Sequence, residues 1–294
     1  MAPDLQALLA DLEQESSSLD SILTALNPRD WTRLTPAPGW TVAHQVAHLA
    51  WTDAALVSAL RTPEAFSALA AQVAANPHTV DRAATDGATE TPTVLLTRWR
   101  EGRAAVRSAL LTCPPRQRIP WFGPPMGAAT AISARVMETF GHGQDIRDTF
   151  AIEPAASERL HHVAHLAVAA RDFAFRNHDL PVPAAPFRVE LEYGGLRWES
   201  GPADADERVA GSTLDFALLA TRRRHRDDCA LSADGAVADR WLAIVQAYAG
   251  DPGPGREPHT IAAAHHPKPG ISSALMGATR ITGSGGLAAK LSAT

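Results

Sequence analysis

The stretch AATAISARVMETFGHGQDIRDTF, residues 128–150, reads as one long helix with an anomaly inside it. Gly141 and Gly143 flank His142 one turn after Glu138, although each mid-helix glycine costs roughly 0.5–1 kcal/mol relative to alanine. Side chains four residues apart share a helix face, ~6 Å apart along the axis. Glu138 and His142 can therefore reach one ion of borderline hardness together, as zinc sites require. A solvated Glu–His pair on an exposed face gives the same pattern. Without side chains at 141 and 143, a neighbouring helix, a ligand or a second domain can come close to His142.

A second stretch, GWTVAHQVAHLAWTD (39–53), carries His44 and His48, again four apart and set among apolar residues. Histidines on an apolar face are usually core residues held by hydrogen bonds. If the helices holding His48 and Glu138/His142 face each other in a bundle, the three side chains converge, the way bundle interiors build metal sites.

The rest of the chain gives these helices a setting. Apolar residues recur at three- and four-residue spacing over 5–26 and 42–60, with Thr41 as an N-cap for the latter. TPTVLLTRWREGRAAVRSALL (91–111) predicts a third long helix and 128–150 a fourth. Shorter helices are expected over Glu64–Ala75 and Ala156–Arg176. CPPRQRIPWFGPPMG (113–127) holds five prolines and must be irregular. NHDLPVPAAP (177–186) reads as a linker. Beyond it, FRVELEY and LRWES alternate as strands around the hairpin turn Gly194–Gly195. ERVAGS predicts a third strand leading into a helix over 212–224, DCALSAD a fourth strand, and VADRWLAIVQAYAG (237–250) a last helix. The Pro-, Gly- and Ala-rich remainder, 251–294, is expected to be a mobile tail.

Composition narrows the function. The chain is 45% hydrophobic and 20% charged, with a formal net charge of -5. That balance fits a globular protein and argues against a nucleic-acid partner, the short basic run TRRRHRDD (221–228) notwithstanding. Cys113 and Cys229 stand alone without CxxC spacing, which excludes a cysteine-built zinc site and fits a reducing cytoplasm. No secretory leader and no apolar run of about 18 residues is apparent, so a cytoplasmic protein without membrane contact is expected.

GWTVAHQVAHL, followed by ARVMETFGHGQDI, resembles the DinB-like metalloproteins, and more closely the mycothiol-dependent maleylpyruvate isomerase group. Together with WFGPPMG, DFALLATRRRHRDD and WLAIVQAYAG, it is similar to an actinobacterial subfamily of metal-binding proteins for which the resemblance defines no reaction. It covers residues 1 to about 255. It implies an α+β protein: a DinB-like four-helix bundle over 1–180 and a small sterol-carrier-protein-like α+β domain over 187–250. It implies one divalent metal, usually zinc, on His48, Glu138 and His142 with an open position. Relatives often have aspartate where His44 stands, leaving His44 a supporting partner, a fourth ligand or packing.

Three ligands and an open position are the catalytic pattern for zinc. A thiol bound there becomes a nucleophile at neutral pH. In the isomerase relatives that thiol is mycothiol, which adds to a cis double bond and leaves once the bond is trans; other relatives transfer the thiol to an electrophile. A bound water favours hydration or hydrolysis instead. Three readings follow: a zinc enzyme using a mycothiol-like thiol for isomerisation or S-transfer on a small electrophilic metabolite; a thiol-independent metal enzyme; or a non-catalytic metal- or ligand-binding protein.

Arg222 matches an arginine that reaches the cleft in the isomerases and is a candidate for binding substrate, although a solvated helix end explains it equally. Asp145 either orients a ligating histidine or is an ordinary surface aspartate. Trp121, Phe122 and Met126 either wall an apolar substrate pocket or plug the bundle's open end. His161, His162 and His165 read as surface or core packing, since no carboxylate partner is obvious. His259, His265 and His266 suit no more than adventitious metal binding. A homodimer is a further expectation.

Overall fold

The computed structural model describes residues 4–258 except Pro77, Ala155, Pro252 and Pro254. The expected tail beyond 258, with its three histidines, lies outside the described residues. Four long helices form the bundle: α1 (Leu5–Ala25), α2 (Val42–Arg61), α5 (Pro92–Leu111) and α6 (Ala128–Thr149). Short helices α3 (Pro63–Ala75) and α4 (Thr79–Gly87) join α2 to α5. Asp4 caps α1 by accepting from the Gln6 amide at 2.9 Å. Prolines open α3 and α5, where a missing N–H costs nothing. α6 runs unbroken through both of its glycines.

The bundle's apolar interior is split along its length. At one end Leu9, Leu12, Leu56, Phe66, Leu110 and Ile132 pack together. At the other, Leu19, Leu23, Trp31, Val46, Leu95 and Trp99 do so. Between them lies a polar layer that holds buried Gln45, Asp53, Arg135 and Thr139. Burying ionised groups costs several kcal/mol each unless they are paired. Asp53 and Arg135 meet that condition at 3.3 Å, and a polar layer of this kind in a bundle core marks a candidate site.

After α6 the chain departs from expectation. The predicted helix over 156–176 is a 3-10 turn at Glu158–Leu160, then α7 (His161–Ala169) and α8 (Arg171–Asn177), with a break at Ala170. The break lets α7 pack on α6 and on the later α9 (Thr213–Ala220), while α8 packs on α10 (Ala236–Ile244). Tertiary packing overrides a continuous helical pattern here. The strands are β1 (Phe187–Tyr193), β2 (Leu196–Ser200), β3 (Glu207–Ser212) and β4 (Leu231–Asp234), in the sheet order β2-β1-β3-β4. The β1–β2 hairpin turns on Gly194 (φ 56°) and Gly195 (φ 82°), the paired positive angles that a two-residue turn demands. Phe187, Val189 and Leu191 of β1 face inward, and one apolar cluster runs from Met137 and Phe140 of α6 through α7 and α8 to the sheet, α9 and α10. α10 stops at Ile244, short of the expected 250, because Ala247 bonds back to the Ala220 carbonyl at 2.9 Å. No helix among the described residues is long and apolar enough to cross a membrane.

Candidate metal centre

α2 and α6 pack side by side in the polar layer, and His48, Glu138 and His142 meet there. Glu138 Oε2 lies 3.3 Å from His48 Nε2 and 3.3 Å from His142 Nε2. Donors placed 2.0–2.1 Å from a tetrahedral ion stand ~3.3 Å apart, so this spacing suits zinc.

The hydrogen bonds fix what His142 presents. Thr35 donates its hydroxyl proton to the Trp40 carbonyl at 2.9 Å, so its oxygen accepts from Gln45 Nε2 at 2.9 Å. The Gln45 oxygen then faces His142 Nδ1 at 2.5 Å and accepts its proton. His142 Nε2 is thereby left with its lone pair toward Glu138, the tautomer a metal ligand needs. Burial, and the proximity of His48, push the His142 imidazole down to about 4, so the ring is neutral at pH 7. Burial alone would raise the Glu138 carboxyl, but the His142 and His48 rings beside it, with Arg135 nearby, hold it well below the usual range. A carboxylate and an imidazole lone pair facing each other without a proton between them form an electron-rich pocket suited to a cation. His48 Nδ1 is buried with no hydrogen-bond partner among the described residues.

Beneath the cluster, Arg135 is 3% exposed and lies 3.3 Å from Asp53 and 3.9 Å from Glu138. Burial pushes the Asp53 carboxyl up to about 6 against the pull of Arg135 and Arg103. Trp40 stacks on His142 with ring centroids 5.9 Å apart and stands 5.4 Å from His48.

The other sequence candidates are placed as follows. His44 turns back to its own helix start, where its Nδ1 accepts from the Thr41 amide at 3.3 Å and meets the Thr41 hydroxyl at 2.8 Å. The residue that supports the cluster is its neighbour Gln45. Asp145 is fully buried and makes no hydrogen bond to His142; it binds Arg223 Nη2 at 2.7 Å and also pairs with Arg256. Arg222 has φ 62° and directs its guanidinium to the Ala243 and Gly253 carbonyls at 3.5 and 3.4 Å. It forms the left-handed turn that ends α9: its amide bonds to Leu219, and that of Arg223 to Leu218. That turn sends Arg223 toward α6, where its guanidinium carbon would sit 3.5 Å from a Cβ at Gly141. Arg223 Nε has no hydrogen-bond partner among the described residues. Tyr248, whose phenol burial raises despite Arg222 and Arg223, is within electrostatic reach of Glu138.

The proline-rich loop reaches the cluster indirectly. Trp121 stacks on Phe66 at 5.8 Å, Phe122 stacks on Trp51 at 5.6 Å, and Trp51 lies 6.4 Å from His48. Met126 pairs its backbone with Ile119 and packs against the same apolar end. Both cysteines are free, and burial pushes both thiols up, that of Cys229 to about 12, so neither is a nucleophile at neutral pH.

A helical bundle extended by an α+β half is the fold this chain shares with maleylpyruvate isomerase. The crystal structure of the mycothiol-dependent maleylpyruvate isomerase covers 79% of this chain and 93% of its own at TM-score 0.56 and 16% identity. A histidine-to-alanine mutant of the same enzyme gives TM-score 0.54 at 15% identity. Residues 12–147 match the family described as mycothiol maleylpyruvate isomerase N-terminal domain, and the chain belongs to this mycothiol isomerase-like family. Two proteins of Mycobacterium tuberculosis, uncharacterized protein Rv0036c of strain H37Rv and uncharacterized protein MT0041 of strain CDC 1551, are each 46% identical over 250 residues. That match spans 84% of this chain and 97% of each relative.

Proposed function

We propose that the protein is a zinc-dependent enzyme that uses a low-molecular-weight thiol of the mycothiol type for isomerisation or S-transfer on a small electrophilic metabolite. The observation that carries this reading is the convergence of His48, Glu138 and His142, with the His142 tautomer set by Gln45. A divalent ion held by these side chains would lower the pKa of a thiol in its remaining position. Gln45 keeps the proton on His142 Nδ1 and turns Nε2 inward. Arg135 supports the Glu138 carboxylate from below. Trp40 shields the His142 ring from water. Arg223, held by Asp145 and with Nε unspent, is the cation that receives a substrate carboxylate or enolate, a role the family resemblance had given to Arg222. The family membership and the isomerase fold support the thiol chemistry.

The test is elemental analysis of the wild type and His48→Ala, followed by chelator stripping with and without mycothiol. His48→Ala is expected to lose one zinc equivalent, and saturating mycothiol to slow removal of that ion from the wild type. Equal zinc content in the two proteins sinks the metal assignment. Stripping that ignores mycothiol sinks the thiol.

A further inference from the structure

The histidines of α7 gain a carboxylate partner in the folded protein. Asp11 of α1 comes 3.0 Å from His162 Nε2, and the His161 ring stands beside it, 4.1 Å from that of His162. One ligand atom from each of Asp11, His161 and His162 falls within 4.8 Å of the others.

The remaining nitrogens are tied to oxygen. His161 Nδ1 donates to the Glu158 carbonyl at 2.7 Å. A carbonyl only accepts, so the neutral ring carries its lone pair on Nε2. His162 Nδ1 lies 3.0 Å from the buried Ser133 hydroxyl. A hydroxyl accepts as readily as it donates, so His162 can carry its proton on Nδ1 and turn a bare Nε2 toward Asp11. Ligating histidines are held in this way, with the second nitrogen bonded to an oxygen behind it. Two imidazoles and a carboxylate suit zinc or an ion of similar softness.

The place is reachable. The Asp11 side chain is 29% exposed while that of His162 is 3%, which gives a buried floor and an open rim. His165, one turn after His161, is exposed on that rim. The cluster is separate from the first. Ser133 and Glu138 are five residues apart on α6, so they point roughly 140° apart around its axis. Asp11, His162 and Ser133 have the residue types of a nucleophilic triad, but Ser133 is 5% exposed and offers no face to a substrate.

We propose that Asp11, His161 and His162 form a second divalent-metal site that fastens α1 to α7. The site binds zinc and carries no reaction. It stands whether or not the first cluster binds metal.

Zinc retained per full-length chain after dialysis against a weak chelator tests this, measured by elemental analysis. The proteins compared are the wild type, His161→Ala, His48→Ala and the double variant. One equivalent is expected to separate His161→Ala from the wild type. The same difference should separate the double variant from His48→Ala. Asp11→Asn, which keeps side-chain size, is expected to lose the same equivalent in a folded protein. Ser133→Ala should weaken this site by about 10–100-fold. Equal zinc in the wild type, His161→Ala and Asp11→Asn overturns the proposal and leaves a hydrogen-bonded Asp–His–Ser relay.

Discussion

The two histidine–carboxylate clusters on either side of α6 set the same kinds of side chain in different surroundings. At His48, Glu138 and His142, hydrogen-bonding capacity is left over: His48 Nδ1 and Arg223 Nε have no hydrogen-bond partners among the described residues. At Asp11, His161 and His162, each Nδ1 is tied to an oxygen of the protein. The first also sits among tryptophan rings and a half-buried arginine, and the second on a helix–helix seam. Residue types alone do not tell the two clusters apart. What separates them is how much of the surroundings is already committed.

The largest expected effect acts on both regions. Burial pushes His142 and His162 from 6.5 down to about 4. Each folded-state value lies below the unfolded one, so metal-free protein holds the full contribution of these two rings above pH 6.5. It loses stability as pH falls, levelling near pH 4, by on the order of 3 kcal/mol per ring. Asp53, raised to about 6, works the other way and offsets about one ring's share. Urea unfolding of the metal-free chain should therefore weaken by on the order of 3 kcal/mol between pH 6.5 and 4. His162→Gln should remove one ring's contribution and leave that of His142. A flat profile would remove the buried neutral imidazoles from both clusters.

A smaller effect separates the regions. Gln45→Leu removes the acceptor behind His142 and should cost about 10–100-fold in metal affinity or activity. Zinc at the Asp11 cluster should be untouched, as read by competition titration. If Gln45→Leu binds as tightly as the wild type, the tautomer argument fails.

The smallest effect concerns the glycines of α6. A Cβ at Gly143 would meet Leu19 at 3.6 Å, and one at Gly141 would meet Arg223 at 3.5 Å, both ordinary contacts. Gly143→Ala should therefore stabilise the protein by about 0.5–1 kcal/mol with metal content unchanged. A loss of stability would show that the α1–α6 approach admits no methyl group.

Much of this was legible in the sequence. The α+β architecture, the four long helices and the β1–β2 hairpin follow from periodicity and from one Gly-Gly pair. That Glu138 and His142 stand together on one face of α6 follows from helical spacing. What was not legible turns on single-residue offsets. From His48, residues 44 and 45 both lie one turn back on the same face. Which of them supports the cluster depends on a local bond to Thr41 that occupies His44. Arg223 rather than Arg222 turns toward α6 because Arg222 takes a left-handed turn that glycine usually announces. The α4 helix and the break at Ala170 are set by packing, and no Gly or Pro at 170 signals the break. Asp11 lies so far along the chain from His162 that no local pattern could pair them.

Arg256 binds Asp145 and donates to the Pro36 carbonyl at 2.8 Å, joining residues 220 positions apart. A chain leaves the ribosome N-terminus first. The bundle helices carrying His48, Glu138 and His142 are complete about a hundred residues before Arg256 appears. Arg223 also arrives well after them. During synthesis all three residues of the cluster are therefore present before the arginines that flank it. Loss of the segment around Arg256 would leave Asp145, wholly buried, with one cation where the folded protein gives it two.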